Sequence, residues 1–339
     1  MLFEPLFAHA AAQPNDIAII DDRGQVNYQQ LAMMSAGLGM FLAAAGRRTI
    51  VCEVGAQRRL PALFGRGAGD LRSTSEAASS ASDEIRLDER LWATSVDPNR
   101  ALREWLAAQL PSRSLADLLT RSNLFAYFAA AAPGVRELAT VTKIAELAQA
   151  ERWRRRDRTY DAVVVDLPSS GHGVGLLRTA RTFADVARVG PIATQAGRVR
   201  DAIEDQSRSA LLAVTLPGEL PVNEALELEA LVARELRRPV DAIVVNALLA
   251  RRWSAADLEA LAAAGGAVPA PARRAARSEA ARTKAQQTQL GRLRREAGAP
   301  VVTLPFLPAA TLAREEVTAL GAELAGQLDG RRARTSPAW

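Results

Sequence analysis

Residues 162–172 read Ala-Val-Val-Val-Asp-Leu-Pro-Ser-Ser-Gly-His, a short apolar run followed by an acid, a proline and a glycine. A short apolar run rich in β-branched residues predicts a strand that is buried on both faces of a sheet. Asp166 ends that strand, and a carboxylate at a strand end can hold Mg²⁺, usually through water. Gly171 follows five residues later, and a glycine allows its backbone N–H to approach a γ-phosphate closely. The stretch therefore predicts a strand, an acid at its end and a glycine-containing loop in direct succession.

Similar apolar runs recur along the chain and alternate with helical patterns. Each run is hydrophobic throughout, as is typical of a parallel sheet that is covered by helices on both faces. The alternation predicts an α/β fold with a doubly wound, mostly parallel sheet. The predicted strands are residues 49–54, 162–167, 210–216, 242–246 and 300–304, and the predicted helices are residues 183–187, 223–236, 255–263 and 312–328.

Residues 98–150 interrupt this alternation, because they contain helical patterns only. Two interpretations stay open for them: the apolar residues form the core of a helical insertion, or they line a groove for an apolar client helix. Residues 66–90 are predicted to form a loop or a disordered connector, and residues 264–300 a polar helix. The residues that carry the helical spacing of the insertion are Leu115, Leu118, Leu119, Leu124, Phe125 and Phe128.

The composition is that of a globular protein, with 48% hydrophobic and 24% charged residues in 339. No run of 18 apolar residues and no signal-peptide pattern occurs, and the single Cys52 cannot form an internal disulfide, so we expect a cytoplasmic protein. The net charge is +5, and nearly all 43 basic residues are arginine. This preference for arginine over lysine indicates a bias of genome composition rather than selection for nucleic-acid binding. The basic runs at 152–158 and 273–282 lack interleaved aromatic residues, so we expect no nucleic-acid partner.

The pattern from Asp166 to His172 resembles the second switch segment of the arsenical-pump ATPase family, which includes the guided-entry ATPases for tail-anchored membrane proteins. Further stretches resemble the same family, in the family's order, across about residues 40–328. This resemblance implies a P-loop NTPase-like fold with a helical insertion. These stretches are Arg48–Glu53, Asp97–Trp105, Pro133–Leu138, Lys143-Ile144, Glu219–Ala225, Ala242–Asn246 and Leu304–Pro308.

The resemblance implies Mg²⁺-dependent ATP hydrolysis that opens and closes a dimer around a client. Asp166 would then assist the coordination of Mg²⁺, and Gly171 would sense the γ-phosphate. Glu53 stands near the place where the family positions the attacking water. The implied cofactors are therefore ATP and Mg²⁺.

The resemblance also assigns an adenine site. Asn246 would bind the amino edge of adenine, with Pro305 nearby, although an asparagine at a strand end is also an ordinary turn residue. His172 would report the state of the switch, or would be a hydrogen-bonded loop histidine. Cys52 lies inside a predicted strand and is expected to be a small core residue.

One part of the family pattern is missing. A phosphate-binding loop of the type Gly-Lys-Gly-Gly-x-Gly-Lys-[Ser/Thr] is expected near residues 20–30, where backbone N–H groups and lysines would hold the phosphates. Residues 21–28 read Asp-Asp-Arg-Gly-Gln-Val-Asn-Tyr, with one glycine and no lysine, and no lysine precedes Lys143. We therefore expect weak or absent ATP hydrolysis, as in a pseudoenzyme.

A second resemblance occupies the place of that loop. Residues 3–45, which include Leu6–Pro14, Asp16–Gly24 and Asn27–Leu31, resemble the start of adenylate-forming enzymes. The lysine-containing loop that such enzymes use on ATP is absent, so this segment does not predict an adenylating enzyme. A natural fusion and an assembly error of the sequence both stay open as its origin.

The predicted organisation is thus an atypical segment 1–40 in place of the first strand and phosphate loop, an ATPase domain 41–329, and a disordered tail 330–339. Ile17–Asp21 is a further candidate to replace the missing strand. Two histidines and one cysteine cannot build a structural zinc site, and they do not support direct arsenite pumping.

Three functional hypotheses follow. The first is an impaired ATPase-family protein that acts as a dimer on an anion or a membrane-protein client. The second is a non-catalytic subunit that forms a heterodimer with an intact paralogous ATPase. The third is a fragment of an adenylate-forming ligase.

Overall fold

The computed structural model describes residues 17–21, 24–55, 60–61, 64, 84–109, 134–149, 159–168, 170–187, 189–264, 267–307 and 314–335. The chain divides into two units. Unit 1 comprises Met1–Ile20, Gly24–Ser209 and Leu312–Ala325, and unit 2 comprises Asp21–Arg23, Ala210–Thr311 and Gly326–Trp339.

The elements up to residue 204 are strands and helices, and several strands and several helices follow one another directly. In chain order they are β1 (Ile17–Asp21), β2 (Gly24–Asn27), α1 (Tyr28–Ala44), β3 (Thr49–Val54), β4 (Ile85–Asp88), β5 (Leu91–Val96), α2 (Pro98–Gln109), α3 (Val135–Leu147), β6 (Ala162–Asp166), α4 (Ser170–Val186) and α5 (Pro191–Glu204).

The main sheet of unit 1 has the strand order β4-β5-β3-β6. β5, β3 and β6 run parallel, and β4 pairs antiparallel to β5. Helices cover both faces, because the apolar residues of β3 alternate between two cores. Ile50 and Cys52 pack in a core with Leu102 of α2 and Leu147 of α3, whereas Val51 packs in a core with α1.

Helix α1 approaches its neighbours closely through glycines. A Cβ atom at Gly39 would overlap the side chain of Val51, and a Cβ atom at Gly321 would overlap the backbone of Gly37. Only glycine fits at such positions, because a larger residue would force the packed elements apart.

The N-terminal segment departs from the prediction in one respect. Ile17–Asp21 forms a separate two-stranded sheet with Gly24–Asn27, so the proposed substitution of the missing first strand by Ile17–Asp21 is wrong. α1 begins at Tyr28 and crosses the predicted boundary at residue 40.

Unit 2 is built on a second parallel sheet. Its elements are β7 (Leu212–Thr215), α6 (Glu219–Leu236), β8 (Ala242–Leu248), α7 (Ala255–Ala263), α8 (Ala270–Glu296) and β9 (Val301–Pro305), and the last helix of the chain is α9 (Arg314–Thr335). The strand order is β7-β8-β9, with both pairs parallel. β8 is the central strand, and its first six residues are buried.

The predicted α/β class with parallel sheets is confirmed. The bounds of β3 and α7 coincide with the predicted ones. The strands β4 and β5 were not predicted, because residues 84–88 fell within the presumed polar connector and Leu91–Val96 mixes polar with apolar residues. α4 is much longer than the predicted 183–187. Its first two turns were not predicted to be helical because they contain glycines, which lower helix propensity.

Parts of three further predictions fall on described residues. Helices α2 and α3 lie in the predicted insertion, but its apolar residues between Leu115 and Phe128 lie outside the described residues. α8 matches the polar helix expected at 264–300, and α9 extends to Thr335, within the segment expected to be a disordered tail. Among the helices that the structure describes, none combines the length and the apolar content needed to cross a bilayer.

Candidate functional site

Two carboxylates lie side by side at the carboxyl edge of the sheet in unit 1. Glu53 near the end of β3 is the register partner of Asp166 at the end of β6, and Ser95 of β5 is its partner on the other side. Registered residues of parallel strands share one face of the sheet and lie on strands about 4.8 Å apart. Glu53 is buried and Asp166 is half-buried. This edge therefore concentrates negative charge where open α/β sheets bind ligands.

The charges of these two carboxylates affect the pKa of the neighbouring Cys52 thiol. Burial raises the pKa of Cys52 well above its ordinary value, and the carboxylates of Glu53 and Asp166 raise it further, whereas Lys143 acts in the opposite direction. The side chain of Cys52 is fully buried in the core. The thiol is therefore a neutral core group, as the sequence predicted.

Helix α4 begins at Ser170, four residues after Asp166. Gly171 and His172 lie in the first turn of that helix, and both are exposed. The first N–H groups of a helix have no partner within the helix and favour anions. A Cβ atom at Gly171 would meet no heavy atom of the described residues within 4 Å. The backbone at Gly171 is thus accessible to a ligand, and His172 belongs to a helix rather than to a loop.

A glycine that the sequence did not single out shapes this turn. A Cβ atom at Gly173 would lie 2.6 Å from the carbonyl oxygen of Pro168. A distance this short forces a shift of the backbone, so the turn between β6 and α4 requires glycine at position 173. The signal in the sequence that could have identified Gly173 was the recurrence of glycine at every second position, in Gly171, Gly173 and Gly175.

A buried ionic cluster ties α2 to α3 in the same unit. The Lys143 ammonium lies 3.2 Å from Glu104 Oε2 and 2.9 Å from Glu146 Oε2, and all three side chains are buried. Arg100 Nε lies 3.4 Å from Glu104 Oε1. Lys143 is thus held by carboxylates, and it does not serve as the lysine that the phosphate-binding loop would supply.

The two residues assigned to adenine lie at the carboxyl edge of the sheet in unit 2. Asn246 is buried in β8, and its Oδ1 accepts a hydrogen bond of 2.8 Å from the N–H of Ala247. Ala247 has a φ of 59°, and the pairing of β8 with β9 shifts between Val245 and Leu248. Asn246 therefore supports a bulge, and its contact with adenine stays a prediction.

Pro305 ends β9 and is exposed, and it is the register partner of Leu248. The next residue, Phe306, donates its N–H to the Leu248 carbonyl at 2.9 Å. The structure thus brings Asn246 and Pro305 to one edge of unit 2. It brings Glu53, Asp166 and the start of α4 together in unit 1.

The metal prediction rests on few ligands. Within the part of the chain that the structure describes, no group of three or more His, Cys, Asp or Glu side chains converges in a metal-binding arrangement. Asp166 and its neighbour Glu53 are the carboxylates at the predicted Mg²⁺ position. Such a pair suits Mg²⁺, which keeps most of its water ligands and takes its remaining oxygens from one or two carboxylates and from phosphates.

Comparison with known proteins places these residues in context. A family model described as anion-transporting ATPase matches residues 32–189. ATPase BagA of Mycobacterium tuberculosis strain H37Rv is 27% identical over 214 residues, which are 63% of this chain and 60% of BagA. Proteins of Mycobacterium bovis and of M. tuberculosis strain CDC 1551, which also carry ATPase in their names, match to the same extent.

The chain thus spans about 60% of the length of the curated relatives that it matches. The family match contains β3, β6 and the start of α4, and it begins after the place where the phosphate-binding loop was expected. Asn246 and Pro305 lie beyond it. Over residues 32–189, this chain is thus similar to the anion-transporting ATPase family.

Proposed function

We propose that this chain is a nucleotide-responsive subunit of the anion-transporting ATPase type whose own ATP hydrolysis is weak or absent. The observation that carries the proposal is the pairing of Glu53 with Asp166, next to the open start of α4, in a chain without the expected phosphate-binding loop. The positions expected to contact Mg²⁺, the attacking water and the γ-phosphate are retained, and the glycine- and lysine-containing loop that would bind the phosphates is not.

The retained side fits Mg²⁺ and a γ-phosphate. Asp166 would hold the Mg²⁺ ion through water, and Glu53 would position the attacking water at the same edge of the sheet. The backbone N–H of Gly171 would contact the γ-phosphate, because no side chain of its own blocks the approach. Mg²⁺, when bound, would neutralise phosphate charge that the protein itself does not neutralise here.

The phosphate side does not meet the family's requirement. Residues 21–28 include two aspartates and one glycine, and within them Gly24–Asn27 forms a strand instead of a glycine-rich loop. Of the two lysines in the chain, Lys143 is buried between carboxylates and Lys284 lies on helix α8 in unit 2. Phosphates bound without lysine and without a cradle of N–H groups would keep most of their mutual repulsion.

Equilibrium binding and hydrolysis of Mg²⁺-ATP test the proposal. The chain is compared with a chimera in which residues 1–27 are replaced by a strand and a Gly-Lys-Gly-Gly-x-Gly-Lys-Thr loop. We expect the chimera to bind Mg²⁺-ATP at least tenfold more tightly and to hydrolyse it. Comparable hydrolysis by the unaltered chain would overturn the proposal, and so would a folded chimera that binds no ATP.

The same retained switch supports the second hypothesis, in which the chain is the non-catalytic member of a heterodimer with an intact paralogous ATPase. This version differs in where hydrolysis takes place. Stimulation of a purified paralogue's ATPase rate by this chain, lost with Asp166→Asn, would favour it over a self-sufficient homodimer. A membrane-protein client and a cytoplasmic location belong to the same proposal.

ATP–pyrophosphate exchange with carboxylic acids would be the sign of a ligase fragment, and we expect none.

A further inference from the structure

A small cavity lies in unit 1 between the carboxyl end of β5 and the helices α2 and α3. The polar residues in its lining include Thr94 and Ser95 of β5, Arg100 and Glu104 of α2, and Lys143 of α3. The cavity has room for about one water molecule. It is therefore too small for a nucleotide or a phosphate, and an occupant has to be the size of water.

The side chain of Thr94 faces this cavity. Thr94 is the register partner of Cys52, so both side chains lie on the face of the sheet where Cys52 packs in a core with α2 and α3. Thr94 is only 3% exposed, and in the part of the chain that the structure describes its Oγ1 has no hydrogen-bond partner. A buried hydroxyl without a partner is destabilising, and native proteins rarely keep one.

Other buried threonines of the chain do have partners. The hydroxyl of Thr215 in β7 donates to the carbonyl of Pro221 at 2.8 Å, and that of Thr140 in α3 donates to the carbonyl of Arg136 at 2.7 Å. The bond of Thr140 is the usual one for a helix, in which the carbonyl four residues earlier is within reach. A strand offers no such carbonyl, so the Thr94 hydroxyl needs a partner from the cavity.

The opposite wall of the cavity can bind water as well. Glu104 and Lys143 have side chains that are each 6% exposed, and Lys143 Nζ lies 3.2 Å from Glu104 Oε2. A carboxylate oxygen accepts more than one hydrogen bond, so the carboxylate that pairs with Lys143 can also accept from a water. A water between Thr94 Oγ1 and Glu104 would have two polar partners, the minimum that a buried water requires.

The charge of the lining favours a neutral occupant. Arg100 and Lys143 bring two positive charges to it, and Asp97 and Glu104 bring two negative charges. An ion of either sign would meet a like charge there and would lose most of its own hydration. Glu146, which binds Lys143 at 2.9 Å, adds one more negative charge to the cluster, so a monovalent cation is the competing occupant.

We propose that this cavity is a binding site for one resident water molecule, which joins the Thr94 hydroxyl to the Glu104 carboxylate. The water ties β5 to α2 one residue before Ser95, the register partner of Glu53. It extends the buried ionic cluster of α2 and α3 to the sheet. The water site goes beyond the function proposed above and does not depend on it, because neither nucleotide nor Mg²⁺ takes part.

A crystal structure of the full chain, at a resolution that shows ordered waters, tests the site directly. We expect one water within about 2.5–3.2 Å of both Thr94 Oγ1 and a Glu104 carboxylate oxygen. An empty cavity, or one filled by a protein side chain, would refute the water site. A crystal soaked in RbCl separates water from a monovalent cation, since an anomalous rubidium peak in the cavity would identify a cation site and overturn the proposal.

Thr94→Val tests the same bond in solution. Valine replaces the hydroxyl by a methyl group of similar size, so the water would lose one of its partners while the packing of β5 is kept. We therefore expect the urea midpoint to fall. If the hydroxyl binds nothing, its removal deletes an unsatisfied buried group, and the midpoint stays unchanged or rises. That result would contradict the proposal.

Thr142→Val is the matched control. Thr142 Oγ1 is also buried without a hydrogen-bond partner in the described ranges, but Thr142 does not line the cavity. We expect its urea midpoint to be unchanged or raised. An equal fall in both variants would trace the loss to the exchange of a hydroxyl for a methyl group and would count against the water. If Thr94→Val does not fold, the crystal structure of the wild type decides.

Discussion

Glu53 and Asp166 are register partners on the adjacent parallel strands β3 and β6. Two carboxylates at neighbouring strand ends repel one another unless a cation or hydrogen-bond donors compensate them. Cys52 lies next to both and has its pKa raised by their charges. The carboxyl edge of unit 1 therefore places two carboxylates side by side on one face of the sheet.

Mg²⁺ should stabilise unit 1 through Asp166. A ligand that binds only the folded state stabilises it by about 2.7 kcal/mol at a hundredfold excess over its Kd. We expect the thermal midpoint of the wild type to rise with MgCl2 in the presence of ATP, and Asp166→Asn to abolish the rise. Asp201→Asn, which changes an exposed carboxylate of α5, is the control and should keep the rise. An undiminished rise in Asp166→Asn would refute the assignment.

Gly171 and Gly173 should respond in opposite ways to alanine. In Gly173→Ala, the new Cβ would lie 2.6 Å from the Pro168 carbonyl oxygen. We expect a loss of about 1–3 kcal/mol in the free energy of unfolding, the usual cost of overpacking. In Gly171→Ala the Cβ meets nothing among the described residues, and alanine favours the helix, so stability should be equal or up to about 1 kcal/mol higher.

Urea denaturation of both variants measures the difference. The proposed function adds that Gly171→Ala weakens Mg²⁺-ATP binding in the chimera that carries a phosphate-binding loop. Equal stability of the two variants would contradict the geometry of the turn between β6 and α4.

The local part of this site could be read from the sequence, and the rest could not. Asp166 and Gly171 were identified because a strand, its terminal acid and the following glycine are contiguous in the chain. The tie of Lys143 to Glu104 could not be foreseen, because it depends on the packing of α2 against α3. The same holds for Asn246, whose bulge depends on how β8 pairs with β9.

Lys143→Met should destabilise unit 1 strongly. Removal of the ammonium would leave Glu104 and Glu146 buried without the cation between them, and breaking a buried ion pair in this way costs about 3–5 kcal/mol. The double variant Lys143→Met with Glu146→Gln removes one of the two charges and should recover part of the loss. Chemical denaturation measures both, and a loss below about 1 kcal/mol, the level of a surface pair, would contradict the buried cluster.

Ala247→Gly should stabilise unit 2. Ala247 has a φ of 59°, a left-handed conformation that costs an L-residue about 1–2 kcal/mol and costs glycine little. Part of this gain is offset by the greater backbone entropy of glycine in the unfolded chain, so we expect a net gain of about 0.5–1 kcal/mol. Asn246→Ala, which removes the hydrogen bond to the Ala247 N–H, should instead destabilise the unit by about 1–2 kcal/mol.

The Cys52 thiol should make stability depend on pH in the alkaline range. Burial raises the pKa of the folded thiol above its ordinary value of 9.0, so the unfolded chain loses the thiol proton first as the pH rises. The contribution of the thiol to stability is therefore fully present below pH 9.0 and is lost progressively above it, until the folded thiol itself titrates. Cys52→Ala removes this contribution, and the difference in unfolding free energy between the wild type and Cys52→Ala should shrink between pH 8 and pH 10.5. A difference that stays constant over that interval would contradict the buried, neutral thiol.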